Sequence, residues 1–239
     1  MLRHPFSIVT AVAPLFAVAL ALGGCAAEPE TTAHADESAE HDRTAASNTG
    51  FFQVTRRDAR RCAAPGCGGY FVARVNAAKT RCADGTYAAE CYVSTLDFNT
   101  SGLSGSAQNE ATDFLANGDG IVKGAFKALA APNAGIASFS VKEVWKGATG
   151  ATPVGSFYRL ADSGIRCVTT PCPTLKASKL NSAKVYDATG YALDKTTPKA
   201  STAAIAEATT AAATANGFLI ATKTAVPNNN ALVASEFYT

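Results

Sequence analysis

The chain writes one stretch twice, and that repetition limits its fold more than any other feature. Residues 61–79 read "RCAAPGCGGYFVARVNAAK" and residues 166–184 read "RCVTTPCPTLKASKLNSAK". Each is an Arg-Cys, four residues, a second Cys, and a strand-like run ending in Asn-x-Ala-Lys. Further landmarks follow in the same order. Phe51-Phe52-Gln53-Val54 answers Phe157-Tyr158-Arg159-Leu160 after a one-residue change of offset. Glu110-Ala111-Thr112 answers Glu207-Ala208-Thr209, Gly120-Ile121-Val122 answers Gly217-Phe218-Leu219, and Glu143-Val144-Trp145-Lys146 answers Glu236-Phe237-Tyr238-Thr239. Chance supplies single matches easily but not a collinear series, so the sequence reads as an internal duplication with units at 51–150 and 151–239.

Two examples of every element make each unit easier to read. A strand leads into the cysteine loop, and a second strand leaves it. "RCADGTYAAECYVSTLDF" holds the turn pair Asp84-Gly85, which predicts a hairpin, where the second unit has the shorter "YDATGYALD". "SAQNEATDFLANG" predicts a helix stopping at Asn117-Gly118, and "KASTAAIAEATTAAATANG" a longer one with Ser201 as N-cap and Gly217 as stop. Two strands close each unit. The expectation is an α+β, strand-rich fold: two homologous antiparallel β-sheet units, each with one helix, packed with pseudo-twofold symmetry. Two independent beads are the alternative.

The N-terminus has a different character. "MLRHPFSIVTAVAPLFAVALALGGC" carries a basic start, an apolar run and Leu22-Gly23-Gly24-Cys25, the pattern of a bacterial lipoprotein signal over residues 1–24, with lipid on Cys25. Residues 26–50 hold six acids, one Arg and no aliphatic side chain larger than Ala. Such a segment cannot bury enough apolar surface to offset its ordering, so residues 25–50 read as a lipidated cysteine and a disordered acidic tether. Ala26 after the cysteine implies an outer-membrane lipoprotein, facing either the periplasm or the surface. Residues 51–239 carry 19 Lys and Arg against 13 Asp and Glu, a net of +6. A basic body of this kind is weakly attracted to anionic envelope polymers or headgroups.

Beyond Cys25 there are six cysteines: Cys62, Cys67, Cys82, Cys91, Cys167 and Cys172. An even count in an exported chain predicts disulfides. The Cys-x4-Cys pair occurs in both units, whereas Cys82 and Cys91 have no counterparts and so bond most simply to each other. Local pairing of 62 with 67 and 167 with 172 is favoured, with exchange between the units as the competitor. Zinc binding would prefer Cys-x2-Cys spacing.

Arg61-Cys62, Cys67-Gly68-Gly69-Tyr70-Phe71-Val72, Val75-Asn76 and Cys82-Ala83-Asp84-Gly85, followed by Gly164-Ile165-Arg166-Cys167 and Pro171-Cys172-Pro173, resemble a bacterial family of lipoproteins and secreted proteins catalogued only as a domain of unknown function. The resemblance covers nearly everything after the tether and implies no activity, cofactor or catalytic residue.

The chemistry that can be read directly is sparse. All three histidines, His4, His34 and His41, precede residue 49, so no Ser-His-Asp or Cys-His nucleophile can form in the body, nor a metal site that relies on imidazole. No phosphate-binding glycine loop occurs. Glu143 and Glu236, matched across the repeat, are the one candidate carboxylate pair for hydrolysis of glycosides. "NGDG" at 117–120 lacks the acids of a calcium loop and reads as a turn. "RRDARR" at 56–61 places Arg56, Arg57, Arg60 and Arg61 beside the first cysteine loop, where guanidinium forks suit carboxylate or phosphate. The sequence therefore points to a non-catalytic envelope lipoprotein that binds a polymer or protein, without cofactor, metal or nucleic acid. A disulfide-loop inhibitor or ligand is the alternative, and a carboxylate hydrolase comes third.

Overall fold

The computed structural model describes residues 49–239 apart from 132, 134 and 224–229. The expected signal segment, Cys25 and nearly all of the tether lie outside the described residues. The tether stops earlier than its composition suggests, because strand β1 (Thr49–Arg57) already includes Gly50. A Cβ on Gly50 would come within 2.6 Å of the Arg74 guanidinium and 2.7 Å of Asn181 Oδ1, so a larger residue there would push on both side chains.

β1 is followed by β2 (Tyr70–Arg74), a hairpin of β3 (Thr80–Arg81) and β4 (Tyr87–Ala88), β5 (Cys91–Val93), β6 (Leu96–Asp97), helix α1 (Gly105–Ala116), β7 (Gly120–Ala128) and β8 (Ala137–Lys146). The second half runs β9 (Ser156–Asp162), β10 (Leu175–Lys179), β11 (Val185–Ala192), helix α2 (Thr202–Ala212), β12 (Phe218–Thr222), β13 (Asn230–Val233) and β14 (Glu236–Tyr238). The protein is thus α+β and strand-rich, with mostly antiparallel pairing.

Strand order shows that both sheets are closed. The first runs β5-β2-β1-β7-β8-β6, yet its two end strands are separated in the chain only by Ser94 and Thr95. The sheet must curl until its ends meet. Ser94 N–H donates to Ala137 O, and Phe139 N–H to Thr95 O, at 2.7 and 2.9 Å. The second runs β13-β11-β10-β9-β12-β14, and only Ala234 and Ser235 separate β13 from β14. Each is a five-stranded barrel in which one bent strand is shared between the two ends. The closing pairs, β6 with β8 and β11 with β13, are parallel, which corrects the expectation of purely antiparallel sheets. Helix and crossover lie between each closing pair in the chain, and that length is what parallel pairing needs. "ALVASEFYT" likewise proves to be two strand segments, not one.

Each barrel is filled on its own helix side. Phe52, Val54, Val72, Val122, Phe139 and Val141 pack with Ala111 and Leu115 of α1. Leu160, Ala177, Phe218, Ile220 and Phe237 pack with Ala208 and Ala212 of α2. α2 is capped by Ser201, whose side chain accepts from Ala204 N–H. It ends at Ala212 and not at Gly217, so it is one residue shorter than α1 and not the longer helix expected. Gly217 instead relieves crowding, since with φ +63° it passes so close to Leu160 O that a Cβ would lie 1.9 Å away. Gly120, its expected counterpart, makes room for Phe114 and Leu115.

Register separates these two glycines. Ile121 lies opposite Trp145, and Leu219 opposite Tyr238, so the position of Gly120 in the first barrel is held by Phe218 in the second. The offset change after Phe51-Phe52-Gln53-Val54 also has a cause. A bulge between Val54 and Arg56 adds one residue to β1 that β9 lacks.

The barrels meet across a third cluster made of Phe51, Val75, Ile121 and Trp145 from one and Phe157, Leu180, Leu219, Ala221 and Tyr238 from the other. Two asparagines pin it. Asn76 and Asn181 have φ of 59° and 60°, in the left-handed region that Asn tolerates. There β2 and β10 turn away, and the N–H groups of Phe51 and Phe157 lose their strand partners. Asn181 Oδ1 accepts from Phe51 N–H at 2.8 Å while its Nδ2 donates to Phe51 O and Val75 O at 2.8 and 2.9 Å. Asn76 returns the pattern: Oδ1 accepts from Phe157 N–H, and Nδ2 donates to Phe157 O and Leu180 O. Each carboxamide stands in for a strand residue. At about 1 kcal/mol per bond these contribute less than the apolar cluster, on the order of 10 kcal/mol for its large side chains. Burial holds the barrels together, and the asparagines fix their register.

Candidate functional site

The four arginines of "RRDARR" divide into two pairs. Arg56 follows the bulge of β1 and lies opposite Phe71, and Phe71 lies opposite Tyr92, so the three form one row across β1, β2 and β5. In a strand, alternate residues face opposite sides. Val54, Val72 and Cys91 of the neighbouring row point into the barrel, and the row of Arg56, Phe71 and Tyr92 therefore lines its outer surface. The Arg56 guanidinium lies 3.6 Å from the centre of the Phe71 ring, and Phe71 and Tyr92 meet edge-on at 5.6 Å. Arg60 sits 5.4 Å from the Tyr92 ring. Both arginines also have acids: Arg56 Nε donates to Glu90 Oε1 at 3.0 Å, and Arg60 Nε to both Asp58 oxygens at 3.0 and 3.1 Å. Arg57 and Arg61 are exposed and have no acid partner among the described residues. With four cations against two acids the ledge is positive by two charges.

The loop at its end is built to stay in place. The buried Asp58 sends its N–H to Gly69 O and accepts from Gly68 and Arg60 N–H. The hydrogen bond from the Arg60 guanidinium holds the Asp58 carboxyl below its ordinary range, and Asp58 in turn raises Arg60. Disulfide Cys62–Cys67 closes the ring. Tyr92 OH donates to Pro65 O at 2.8 Å and Arg60 Nη2 to Gly66 O at 3.2 Å, so the loop lies down against the ledge. Phe71 entered the sequence reading only through the family resemblance and Asp58 only as part of the arginine run, while Tyr92 and Glu90 were not singled out, although Tyr92 beside Cys91 was the available signal.

The remaining cysteines pair locally, Cys82 with Cys91 and Cys167 with Cys172. The Cys82–Cys91 bond secures the β3–β4 hairpin, whose turn contains Gly85 at φ +86°. In the second barrel the corresponding row is Ala161, Lys176 and Asp187, with no aromatic ring in it. Among the described residues, loop 163–174 is anchored only at its base. Arg166 binds Asp162 through Nη1 and Nη2 at 2.9 and 2.8 Å and lowers the Asp162 carboxyl to about 2. Val168 at its tip has its whole side chain in solvent, and Ile165 is also exposed.

The candidate carboxylates are not brought together. Glu143 is half-exposed and pairs with Lys123 at 2.6 Å and Arg159 at 3.3 Å. Glu236 is buried and accepts from Thr149 Oγ1 at 2.6 Å, Ala151 N–H at 2.8 Å and Phe237 N–H at 2.8 Å. Among the described residues they share no partner. "NGDG" forms the turn from α1 into β7, with Asn117 as C-cap and Gly118 at φ +83°. Among the described residues no three His, Cys, Asp or Glu lie close enough to hold a metal ion.

A family model described as "Domain of unknown function (DUF6748)" matches residues 51–239. No curated protein and no solved structure matches the chain.

Proposed function

Because the chain belongs to this family, whose description assigns no activity, we propose its role from the geometry alone: it is a non-catalytic binding module of the cell envelope that contacts an anionic polymer through the ledge of the first barrel. The observation that carries this reading is the row of Arg56, Phe71 and Tyr92 beside a stapled loop, with Arg57 and Arg61 lacking an acid partner among the described residues. Phe71 is already covered by Arg56, so a ligand meets guanidinium planes and edges, which suit carboxylate, sulfate or phosphate groups better than neutral sugar rings. The strand order, with the helix between the third and fourth strands of the barrel, is that of the OB fold, whose second and third strands and first loop bind polymers. That likeness is an analogy of fold.

In this reading the two barrels are copies of one unit related by a pseudo-twofold axis. The mutual asparagine bonds and the common strand order support it. The protein is held by lipid on Cys25 in the outer membrane, a reading that rests on the signal and tether sequences; a Cys25→Ser variant that is trimmed correctly and still sediments with membranes would remove the anchor from it.

A second reading, a stapled-loop ligand for a protein, has support of its own in the solvent-exposed Val168. Both can be tested together with residues 26–239. Retention on immobilised dextran sulfate, but not on neutral dextran, is expected to fall about tenfold in Arg57→Glu/Arg61→Glu. Capture of a protein from envelope extract that fails only with Val168→Asp would favour the loop. Equal retention of the wild type on both dextrans would discard the ledge.

A further inference from the structure

We propose that the outer edge of β8 at Glu143–Val144 takes an extended segment of a partner polypeptide, added as a strand. The idea rests on the twofold reading, because the molecule carries its own example of the contact on the second barrel. β8 and β14 touch at Lys146 and Thr239, whose N–H groups donate to each other's carbonyls at 2.8 and 3.1 Å. From there the chain runs back along β14. Gly147 bridges Tyr238, and Ala148 N–H donates to Phe237 O at 2.9 Å. Thr149 and Ala151 then satisfy Glu236.

Among the described residues the matching stretch of β8 has no such cover. Lys146 points its N–H and C=O away from β7, and the alternation of an antiparallel ladder aims those of Val144 the same way. Among the described residues nothing pairs with them. Farther back, Thr95 O accepts from Phe139 N–H and Thr100 Oγ1 donates to Val141 O, so the gap is bounded by Thr100 on one side and Thr239 on the other. It exposes Lys142, the extra residue of a bulge between Lys123 and Gly124, and half of Glu143.

The internal example defines the occupant: an extended backbone with small residues near the junction. A Cβ on Gly147 would come within 2.9 Å of Asp119 O. A few ladder bonds at about 1 kcal/mol each make a short peptide weak in trans, whereas attachment to the same chain raises its effective concentration.

The test therefore extends the full chain after Thr239 by Gly-Ala-Thr-Gly-Ala, the sequence of residues 147–151. Amide exchange at Val144 is expected to slow about tenfold. Emission of Trp145, the single tryptophan, is expected to move to the blue. An extension with Pro in place of its first Ala lacks the N–H that would reach Val144 O and should change neither signal. The proposal is overturned if the first extension leaves Val144 exchange unchanged, if the Pro extension slows it equally, or if Val144 in the unextended protein already exchanges as slowly as Val122. Failure of the twofold reading would show elsewhere, as unequal losses of stability in Asn76→Ala and Asn181→Ala.

Discussion

Loops 58–69 and 163–174 are closed by the same Cys-x4-Cys ring, and both send the first N–H of the loop back to its last carbonyl, Asp58 to Gly69 at 2.8 Å and Ser163 to Thr174 at 2.9 Å. Their surroundings differ. The first has Tyr92 and Arg60 to lie against, and Cys67 is buried; the second has Asp187 at the position of Tyr92, shows no bond to it among the described residues, and stands in solvent to its tip. A disulfide therefore fixes the shape of such a loop, while one neighbouring strand residue decides whether it is a rim of the barrel or a free projection.

The largest expected effect concerns what the two halves have in common. Asn76→Ala and Asn181→Ala each remove three hydrogen bonds and place Ala at a φ near 60°, at a combined cost of about 3–5 kcal/mol. Urea denaturation should show the two losses equal within about 1 kcal/mol, and Gly at either site should recover part of the backbone share. A clearly one-sided result breaks the comparison between the barrels. Next, Cys62→Ser/Cys67→Ser and Cys167→Ser/Cys172→Ser should each cost about 2 kcal/mol by loop closure. Limited proteolysis should then cut the second variant near Val168 first, and spare the first loop. Equal cutting of both would deny Tyr92 its role.

Tyr92→Phe sharpens the point at about 1 kcal/mol, since it keeps the ring and deletes only the bond to Pro65 O. Exchange of the Gly66 amide should accelerate toward that of the second loop. The smallest effect is a pH response. Asp162 has its carboxyl depressed to about 2 by Arg166, so the clamp it makes is fully present above the ordinary carboxylate pKa and is lost as pH falls from about 4 through 2. Loop 163–174 should loosen in that window by NMR, and Asp162→Asn should abolish the transition.

Much of the architecture was legible because it is written in local chemistry. Alternating apolar residues, Asp84-Gly85, the Ser201 cap and the spacing of the cysteines each act within a few residues. Closure of the sheets was not legible, since it depends on Ser94-Thr95 and Ala234-Ser235 bending a strand between two edges, which no periodicity reports. The alignment of Gly120 with Gly217 failed because glycine answers backbone crowding as well as turns. The arginine cluster was visible, but its acids were not: Asp58 sits inside the run and Glu90 comes from across the sheet, so two of the four cations were already committed. Asn76 and Asn181 were seen as landmarks, while their reach into the opposite barrel required the third dimension.

The early start of β1 also has a mechanical side. Thr49 enters a strand that lies between β2 and β7, and two residues later Asn181 of the other barrel grips Phe51. A pull applied through the residues before Thr49 runs along the length of β1 and loads its ladder bonds in shear, many at once. A pull on an edge strand would open them singly, like a zip. Tension arriving from that end is shared by both barrels from its first ångström.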